Sequence, residues 1–405
     1  MFDVAIVGAG PAGCSTALHL LSLQPRTRIA IFDRARLPRE KPCGGAISRW
    51  GLQALDTIDS TPASLAVPHV PITAVRVRHG AHVAEHGESE PLGVVVERAA
   101  FDAALAREAV ARGATLFEDH RLVALEETTE GDRRLVFESG GARRAFVARA
   151  IVGADGTGSA VRRLAGFDEN GPRARLIVVE TDSAPGEDIG RGVLEFDLSC
   201  VDRGIDGYVW HFATTFGGRP CISRGIFDWR GRRAGDGREL RATLMEALDA
   251  RSVPSAKHRF KPYSERVFST TGSVASRSVL LCGEAAALVD PVTGEGIAQA
   301  IVSGKIAAEE LDHGAIDPAR YTRSLEALRC YGHLRQSAAL APHVYGRRAS
   351  LWASALARSP AAVDAGADWY VGRPLGTRRK VEVGASFGLS LLRAAMTLRA
   401  PSDRL

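Results

Sequence analysis

The sequence predicts an α/β fold in three parts: a Rossmann-like domain, a β-sheet domain interleaved with it along the chain, and a helical region at the C-terminal end. Residues 2–7 form a short apolar run that ends at a glycine-rich turn, followed by a helical pattern over 12–23 and a second apolar run over 28–32. Strand, glycine turn, helix and strand in this order make a βαβ unit. Strand-like patterns over 72–78 and 82–86 predict a hairpin around Gly80, and those over 122–127, 134–138 and 145–152 predict a three-stranded meander. Residues 176–227 are also largely strand-like. Helical patterns dominate after Pro318, with breaks near Pro342, Pro360 and Pro374.

The chain of 405 residues is longer than one hydrophobic core usually supports, so we expect several structural units. The motifs described below are spread over roughly the first 300 residues, which predicts that the first two domains are discontinuous. The Rossmann-like domain is assigned to residues 1–70, 95–165 and 266–315. The β-sheet domain is assigned to residues 71–94 and 166–265, and the C-terminal helical region to residues 316–405.

The charge of the chain is unevenly distributed. The net charge of +5 is mild for this length, and no run of Lys and Arg with interleaved aromatic residues occurs, so no nucleic-acid partner is predicted. From His313 onward, however, fourteen Lys and Arg stand against six Asp and Glu, a net charge of +8. This excess fits a solvated basic face. It also fits an anionic partner, which would be a phosphate-bearing substrate, a carrier protein or a membrane surface.

Cysteine usage and the start of the chain bear on location. The six cysteines lie far apart without a Cys-x-x-Cys pair, which speaks against a zinc site and a secreted disulfide framework, so no metal is predicted. The first strand begins at Phe2, which leaves no room for a signal peptide, and no run of about eighteen apolar residues occurs. We therefore expect a cytoplasmic protein, with peripheral membrane contact as an option through the basic C-terminal region.

The first motif is the glycine triplet Gly8-Ala9-Gly10-Pro11-Ala12-Gly13. Gly8 permits a tight turn out of the strand, Gly10 lets backbone N–H groups approach a pyrophosphate, and Gly13 permits close helix–strand packing. Asp33 ends the second strand, where an acid would accept a hydrogen bond from a ribose hydroxyl. The alternative is a glycine turn with no ligand. The residues assigned to this half of a dinucleotide site are Gly8, Gly10, Pro11, Ala12, Gly13, Asp33 and Arg34.

Two further motifs each lead from an apolar strand past an acid into a helix start: the second motif covers residues 152–162 and the third motif covers residues 282–297. In the third motif, Glu284 could accept a hydrogen bond from a sugar-like hydroxyl. The free N–H groups at its helix N-terminus suit a pyrimidine-type carbonyl oxygen. The alternatives are an ordinary strand-to-helix turn and a capped helix with no ligand. The candidate residues are Asp155, Gly156, Gly283, Glu284, Gly294, Gly296 and Ile297.

The three stretches make sense together as one site wrapped around a dinucleotide-linked flavin, FAD. In order and spacing they resemble the flavin monooxygenase superfamily typified by p-hydroxybenzoate hydroxylase. Within it, Lys41-Pro42-Cys43-Gly44-Gly45 and residues 289–297 are similar to the geranylgeranyl reductase family. The similarity covers roughly residues 1–315 and implies an FAD-binding Rossmann-like domain with a substrate domain built around a β-sheet.

The resemblance also implies residue roles. By position, the resemblance implies that the glycine triplet and Asp33 hold the adenosine half of FAD. It implies that Asp155 and Gly156 lie near the pyrophosphate and ribityl chain, and that Glu284 contacts the ribityl chain. Arg98 matches an arginine that contacts the cofactor in many relatives. The family usually has aspartate where this chain has Glu284, which keeps the acceptor but is one methylene longer.

Two features predict the substrate side of the site. Tyr208, Trp210 and Phe212 alternate along a strand and therefore share one face, and a similar stretch in the reductase family lines an apolar substrate cavity. Cys43 and Gly44 resemble the family's Cys-Gly element near the flavin ring, where the thiol could donate a proton or position the substrate. The alternatives are an aromatic core strand and a small buried cysteine that fills space. The predicted catalytic residues are Cys43, Tyr208 and Trp210.

The leading hypothesis for the reaction is reduction of a carbon–carbon double bond in an apolar, isoprenoid-like substrate by hydride transfer from reduced FAD. The runner-up is a monooxygenase that hydroxylates or epoxidises an aromatic or polyketide-type substrate. A third hypothesis is a non-catalytic escort that binds prenyl groups or proteins on a flavin-type fold. No second Rossmann fingerprint follows residue 150, so electrons are expected from an external donor: NAD(P)H, a reductase or a ferredoxin-like protein.

The C-terminal region is expected to cap the substrate cavity and to turn its basic face toward an anionic group. The apolar side chains that would cover the cavity are Phe387, Leu389, Leu391, Leu392 and Met396.

Overall fold

The computed structural model describes residues 1–187, 189–229, 238–269 and 272–399. These residues form three β-sheets with parallel and antiparallel pairs and with helices packed against them, and the predicted α/β class is confirmed. Residues 230–237 of the assigned β-sheet domain and residues 400–405 of the assigned C-terminal region lie outside the described residues.

Within the described residues the strands follow the chain order. They are β1 (Phe2–Val7), β2 (Ile29–Phe32), β3 (Ala46–Ser48), β4 (His69–Ile72), β5 (Ala74–His79), β6 (His82–Gly87), β7 (Gly93–Val96), β8 (Thr115–Phe117), β9 (Arg121–Glu127), β10 (Arg133–Ser139), β11 (Ala142–Gly153), β12 (Arg173–Thr181), β13 (Val193–Asp197), β14 (Gly207–Phe216), β15 (Arg219–Asp228), β16 (Lys261–Arg266) and β17 (Val279–Leu281).

The α-helices of the same residues are concentrated toward the C-terminal end. They are α1 (Pro11–Leu23), α2 (Arg49–Asp56), α3 (Arg98–Ala111), α4 (Ala160–Leu164), α5 (Arg238–Asp249), α6 (Ile297–Asp312), α7 (Pro318–Ala327), α8 (Arg329–Val344), α9 (Ala349–Leu356), α10 (Pro360–Tyr370) and α11 (Thr377–Arg399).

The first sheet has the order β8-β2-β1-β11-β10-β9, with β17 beside β11. The strand β1 runs parallel to β2 and β11, so that Ile6 lies opposite Ile31 and Val152. The predicted meander of β9, β10 and β11 forms, but β11 is longer than expected and its last residues also pair in parallel with β1 and β17. The carboxyl ends of β1 and β11, where two of the motifs begin, therefore lie side by side.

The second sheet has the order β16-β12-β15-β14-β13-β5-β6. The hairpin of β5 and β6 turns at Gly80, as the sequence predicted, and β5 pairs in parallel with β13. One sheet thus combines strands from two separated stretches of the chain. A smaller sheet, β3-β7-β4, carries the segment that follows the Cys43–Gly45 loop.

The helices α1 and α6 pack unusually closely. A Cβ atom placed on Gly304 of α6 would lie 2.4 Å from the carbonyl oxygen of Ala12, so only glycine allows this approach. Because α1 begins at the first motif and α6 at the third, this contact holds the N-termini of both helices at the same site.

The C-terminal helices pack against the second sheet. Tyr345, Ala353 and Tyr370 are buried in the same apolar core as the aromatic side chains of β14. Two of the predicted helix breaks lie at prolines. Pro360 is the first residue of α10, a position where proline is favoured, and Pro374 lies between α10 and α11. Pro342 instead lies inside α8, two residues before that helix ends.

Candidate active site

A cleft of about 560 Å³ brings the three motifs, the Cys43–Gly44 loop and the aromatic face of β14 together. The predicted residues that line it are Gly8, Gly10, Pro11, Ala12, Asp33, Arg34, Cys43, Gly44, Arg98, Asp155, Gly156, Tyr208, Trp210, Glu284, Gly294, Gly296 and Ile297. Two predicted residues are not among the lining. Gly13 packs against the Gly8 carbonyl, and Gly283 packs against Ala12 and Ala300, so these glycines shape the site from behind.

The glycine triplet forms a cradle. Gly8 has a φ of +109°, and a Cβ atom there would lie 2.2 Å from the carbonyl oxygen of Ala154, so packing against the second motif requires glycine. Gly10 differs, because its backbone is extended and the nearest atom to an added Cβ is a guanidinium nitrogen of Arg39 at 3.6 Å. The protein itself does not require glycine at this position. The space in front of Gly10 therefore fits a ligand phosphate that approaches the backbone.

Asp33 is fixed at the end of β2. Its carboxylate accepts hydrogen bonds from the backbone N–H groups of Ala9 and Ala35, both at 3.0 Å, and from Nε of Arg39 at 3.2 Å. Arg39 also reaches Asp102 at 3.2 Å. That Asp33 accepts a hydrogen bond from a ribose hydroxyl stays a prediction, whereas the guanidinium of Arg39 does face the phosphate cradle.

The carboxylate of Asp155 is held by hydrogen bonds within the protein. The carboxylate accepts hydrogen bonds from Oγ of Ser159 at 2.5 Å and from the backbone N–H groups of Ala160 and Val161 at 2.6 and 3.1 Å. Burial raises the pKa of Asp155, and these hydrogen bonds act against that rise. Asp155 therefore holds the start of α4, and its neighbour Gly156 presents backbone to the cleft.

Glu284 lies in a cluster of polar side chains. Its carboxylate accepts hydrogen bonds from the backbone N–H of Arg266 at 3.2 Å and from the Tyr263 hydroxyl at 3.3 Å, and Nζ of Lys41 is 3.8 Å away. The side chain of glutamate, one methylene longer than aspartate, is long enough for its carboxylate to contact Tyr263 and Arg266 of β16.

Glu265 belongs to the same cluster and was not found from the sequence. Burial raises the pKa of its carboxyl to about 8, and the charge of Glu284 adds to this, while Lys41 and Arg98 act against it. Burial also lowers the pKa of Lys41, which Glu284 partly offsets. Glu265 lies on a strand of ordinary polar and aromatic residues, so no local pattern marked it.

Arg98 begins α3 and is buried. Its guanidinium forms two hydrogen bonds to Asp102, at 2.9 and 3.0 Å. Burial alone would lower the pKa of Arg98, but Asp102 and Cys43 outweigh it and hold the pKa above its usual value. Arg98 and Cys43 therefore interact at the cleft wall, which both residues line. The Cys43 sulfur also accepts a 3.4 Å hydrogen bond from the backbone N–H of Gly45.

The predicted aromatic residues do share one face. Tyr208, Trp210 and Phe212 line the cleft together with Phe196 and Phe227, and we refer to these five as the aromatic wall. Ring centres in the wall are 5.1 to 6.4 Å apart. The wall therefore offers a continuous apolar surface.

Two contacts outside the predicted motif shape the wall. The Tyr208 hydroxyl donates a hydrogen bond to the carbonyl oxygen of Thr293, so Tyr208 positions the loop before α6 rather than presenting a free acid. A Cβ atom on Gly225 would lie 2.2 Å from the Trp210 ring, so this glycine on β15 makes room for the indole.

The start of α6 is open toward the cleft. The N-cap is Gly296, and no side chain caps the helix, so backbone N–H groups at Gly296 and Ile297 are available to a ligand oxygen. Burial raises the pKa of the adjacent Glu295 to about 8. A hydrogen bond with Ser48 acts against this rise, and the negative charge of Asp290 adds to it. Within the part of the chain described, Oε1 of Glu295 and the hydroxyl of Tyr370 have no hydrogen-bond partner, although both residues line the cleft.

A family model described as an FAD binding domain matches residues 1–311. The chain belongs to this FAD-binding domain family. The digeranylgeranylglycerophospholipid reductase of Methanosarcina acetivorans is 29% identical over 323 residues, covering 76% of this chain and 74% of the relative. The predicted resemblance to the geranylgeranyl reductase family is thus confirmed, and the protein is an FAD-dependent oxidoreductase.

Solved structures confirm the fold of this FAD-dependent oxidoreductase. A geranylgeranyl bacteriochlorophyll reductase-like protein from Thermoplasma acidophilum has a TM-score of 0.68 at 20% identity, covering 98% of this chain and 99% of that chain. A flavin-dependent brominase has a TM-score of 0.72 at 14% identity, covering 98% of this chain and 99% of that chain. Proteins with different reactions therefore share the architecture, and the fold alone does not select the chemistry.

Proposed function

We propose that this enzyme reduces carbon–carbon double bonds in an apolar, isoprenoid-like substrate with FAD as cofactor. The observation that carries the proposal is the aromatic wall, which faces the Cys43–Gly44 loop in the same cleft as the dinucleotide motifs. The similarity to digeranylgeranylglycerophospholipid reductases supports a substrate that joins long unsaturated chains to a phosphate-bearing head.

The residues of the cleft fit FAD from one end to the other. The backbone at Gly10 and the guanidinium of Arg39 would face the pyrophosphate, and Asp33 would face the adenosine ribose. Glu284 would meet the ribityl hydroxyls, and the open start of α6 would meet the pyrimidine oxygen of the flavin. Reduced FAD supplies a hydride when bound.

The chain's own groups would manage the substrate and the proton. The aromatic wall excludes water and packs against the isoprenoid chain, and its ring faces stabilise cationic character on carbon. Cys43 lines the cleft beside Arg98 and is the candidate that positions the substrate or donates the proton. Burial raises the pKa of Glu295 to about 8, so this residue of the cleft is protonated at neutral pH and is a second candidate for the proton donor.

The electron donor is proposed to be external. The sequence after residue 150 contains no second Rossmann fingerprint, which favours a transiently docked NAD(P)H, a reductase or a ferredoxin-like protein. Stopped-flow reduction of the bound flavin by each candidate donor would identify it.

The cellular location stays a prediction. In the described ranges, no helix combines the length and the apolar character that a membrane crossing requires. Cell fractionation would test the expected cytoplasmic location and any peripheral membrane association.

The deciding experiment follows the product. Protein with reduced FAD, kept under anaerobic conditions, is mixed with geranylgeranyl diphosphate or a digeranylgeranyl glycerophospholipid and analysed by mass spectrometry. We expect the mass to rise by two hydrogen atoms for each double bond reduced. Incorporation of an oxygen atom when air is admitted, without any hydrogenated product, would instead support the monooxygenase hypothesis. No product with any electron donor, from protein that holds FAD, would support the escort hypothesis.

A further inference from the structure

The helix α11 carries an apolar stripe on its outer face. Val381, Leu389, Leu392 and Met396 are separated by eight, three and four residues, which places them along one side of an α-helix. Their exposed fractions are 67%, 58%, 64% and 67%. Single exposed apolar residues are common on proteins, whereas four in a row on one helix mark an interaction surface. We refer to these four residues as the outer stripe.

The opposite face of α11 packs against the protein. The Phe387 ring centre lies 5.3 Å from that of Trp352 in α9, and Ser390 and Ala394 are buried. The expectation that Phe387–Met396 covers the substrate cavity is therefore wrong. The described side chains of α11 do not line the cleft, because this helix lies outside α9 and α10.

The outer stripe has basic neighbours. Arg378 is 95% exposed, Lys380 and Arg393 are also exposed, and the one acid in the described part of α11 is Glu382, which pairs with both Arg378 and Arg379. Cations in the first turn of a helix oppose the helix dipole, so the dipole does not account for their position. Their position is better explained by an anionic partner.

The outer stripe also lies on a helix that neighbours the wall of the cleft. The helix α11 packs on α10, and α10 ends at Tyr370, which lines the cleft. A surface that binds the outer stripe is therefore separated from the cleft wall by the thickness of one helix.

We propose that α11 is a docking surface for an anionic lipid bilayer. The outer stripe enters the boundary between headgroups and acyl chains, and Arg378, Lys380 and Arg393 contact lipid phosphates. A second copy of the chain fits less well, because a symmetric pairing along α11 places the basic residues of both copies against each other. The proposal does not rest on the reaction, since vesicle binding needs no turnover.

The test uses the full chain loaded with FAD and vesicles of phosphatidylcholine, with or without phosphatidylglycerol. We expect sedimentation with the anionic vesicles, weaker sedimentation with the neutral ones, and loss of binding as NaCl rises to about 0.5 M. The double variant Leu389→Ser/Leu392→Ser should bind about tenfold more weakly or worse. The matched control is Leu23→Ser/Val110→Ser, which removes two exposed apolar residues from α1 and α3 and should bind like the unmodified protein.

A charge variant completes the test. Arg378→Gln/Lys380→Gln/Arg393→Gln should lose the preference for anionic vesicles while keeping its FAD absorbance and thermal midpoint. Equal binding by all variants, or no binding of the unmodified protein to anionic vesicles, would overturn the proposal. So would a change from dimer to monomer in the Leu389→Ser/Leu392→Ser variant without any vesicle binding, since that result assigns the outer stripe to a second copy.

Discussion

The ammonium nitrogen of Lys41 lies 3.3 Å from the centre of the Tyr263 ring. The same ammonium is 3.8 Å from Glu284, and the Tyr263 hydroxyl donates to that carboxylate. Lys41 belongs to the loop that carries Cys43, whereas Tyr263 belongs to β16 of the second sheet. These contacts therefore connect the Cys43 loop, the third motif and the second sheet in one charged cluster.

The phosphate cradle gives the first prediction. Gly10→Val should abolish the yellow colour of the purified protein, because the side chain would occupy the space in front of the backbone that fits the pyrophosphate. The backbone at Gly10 is extended, so valine is tolerated there and the chain should still fold. The control is Gly332→Val in α8, where an added Cβ meets no atom within 4 Å. Absorbance spectra of both variants check this. A yellow Gly10→Val protein that releases FAD on denaturation would contradict it.

Glu284 gives the second prediction. Glu284→Ala should weaken FAD binding by roughly tenfold to hundredfold, since losing a hydrogen bond to a charged group costs about 1.5–3 kcal/mol. Tyr263→Phe removes only the hydroxyl that donates to Glu284 and should have a smaller effect. Titration of each apoprotein with FAD measures both affinities. An unchanged affinity in Glu284→Ala would mean that the carboxylate serves only the charged cluster.

Cys43 gives the third prediction. Cys43→Ala should lower kcat for double-bond reduction by about a hundredfold or more if the thiol donates the proton, with little effect on FAD retention. Cys330→Ala is the matched control, because this half-buried cysteine of α8 does not line the cleft. Steady-state kinetics with the same isoprenoid substrate compare the two. Equal rates would assign Cys43 to packing and leave Glu295 as the proton source.

The raised pKa of Glu295 predicts a pH dependence of stability. In the folded state burial raises the pKa of Glu295 to about 8, whereas a glutamate in the unfolded chain has a pKa of about 4.3. Between these values the folded state binds more protons, so its contribution makes the free energy of unfolding fall as the pH rises, by up to about 1.4 kcal/mol per pH unit. Glu295→Gln removes this contribution.

Urea unfolding at about pH 5.5 and about pH 7.5 measures the effect, with both proteins in the same FAD-loaded state. The difference between the two pH values should be smaller for Glu295→Gln than for the unmodified protein. If both proteins respond equally to pH, Glu295 is already ionised in the folded state.

Local patterns predicted a large part of the fold. The strand over 2–7, the hairpin at Gly80 and the helix that starts at Ile297 are each marked by short-range periodicity or turn chemistry, and the structure contains all three. The motifs that line the cleft were found in the same way, because each consists of a strand end and a helix start that are adjacent in sequence.

The missed features depend on contacts between distant residues. The pKa of Glu265 is raised by burial and by the charge of Glu284, and Tyr370 reaches the cleft from a helix far along the chain. No local pattern encodes either contact. The prediction that α11 covers the substrate cavity was wrong for a related reason, since the sequence of an apolar helix face does not indicate which surface that face will contact.

The parallel pairing of β17 with β11 has a consequence for protein synthesis. The strand β17 and the loop that carries Glu284 are added to a sheet whose other strands are complete by residue 153. A nascent chain that ends before Val279 therefore has the glycine triplet but lacks one strand and one wall of the cleft. Domains that fold during translation do so as their last element emerges, so FAD capture should be a late event on the ribosome.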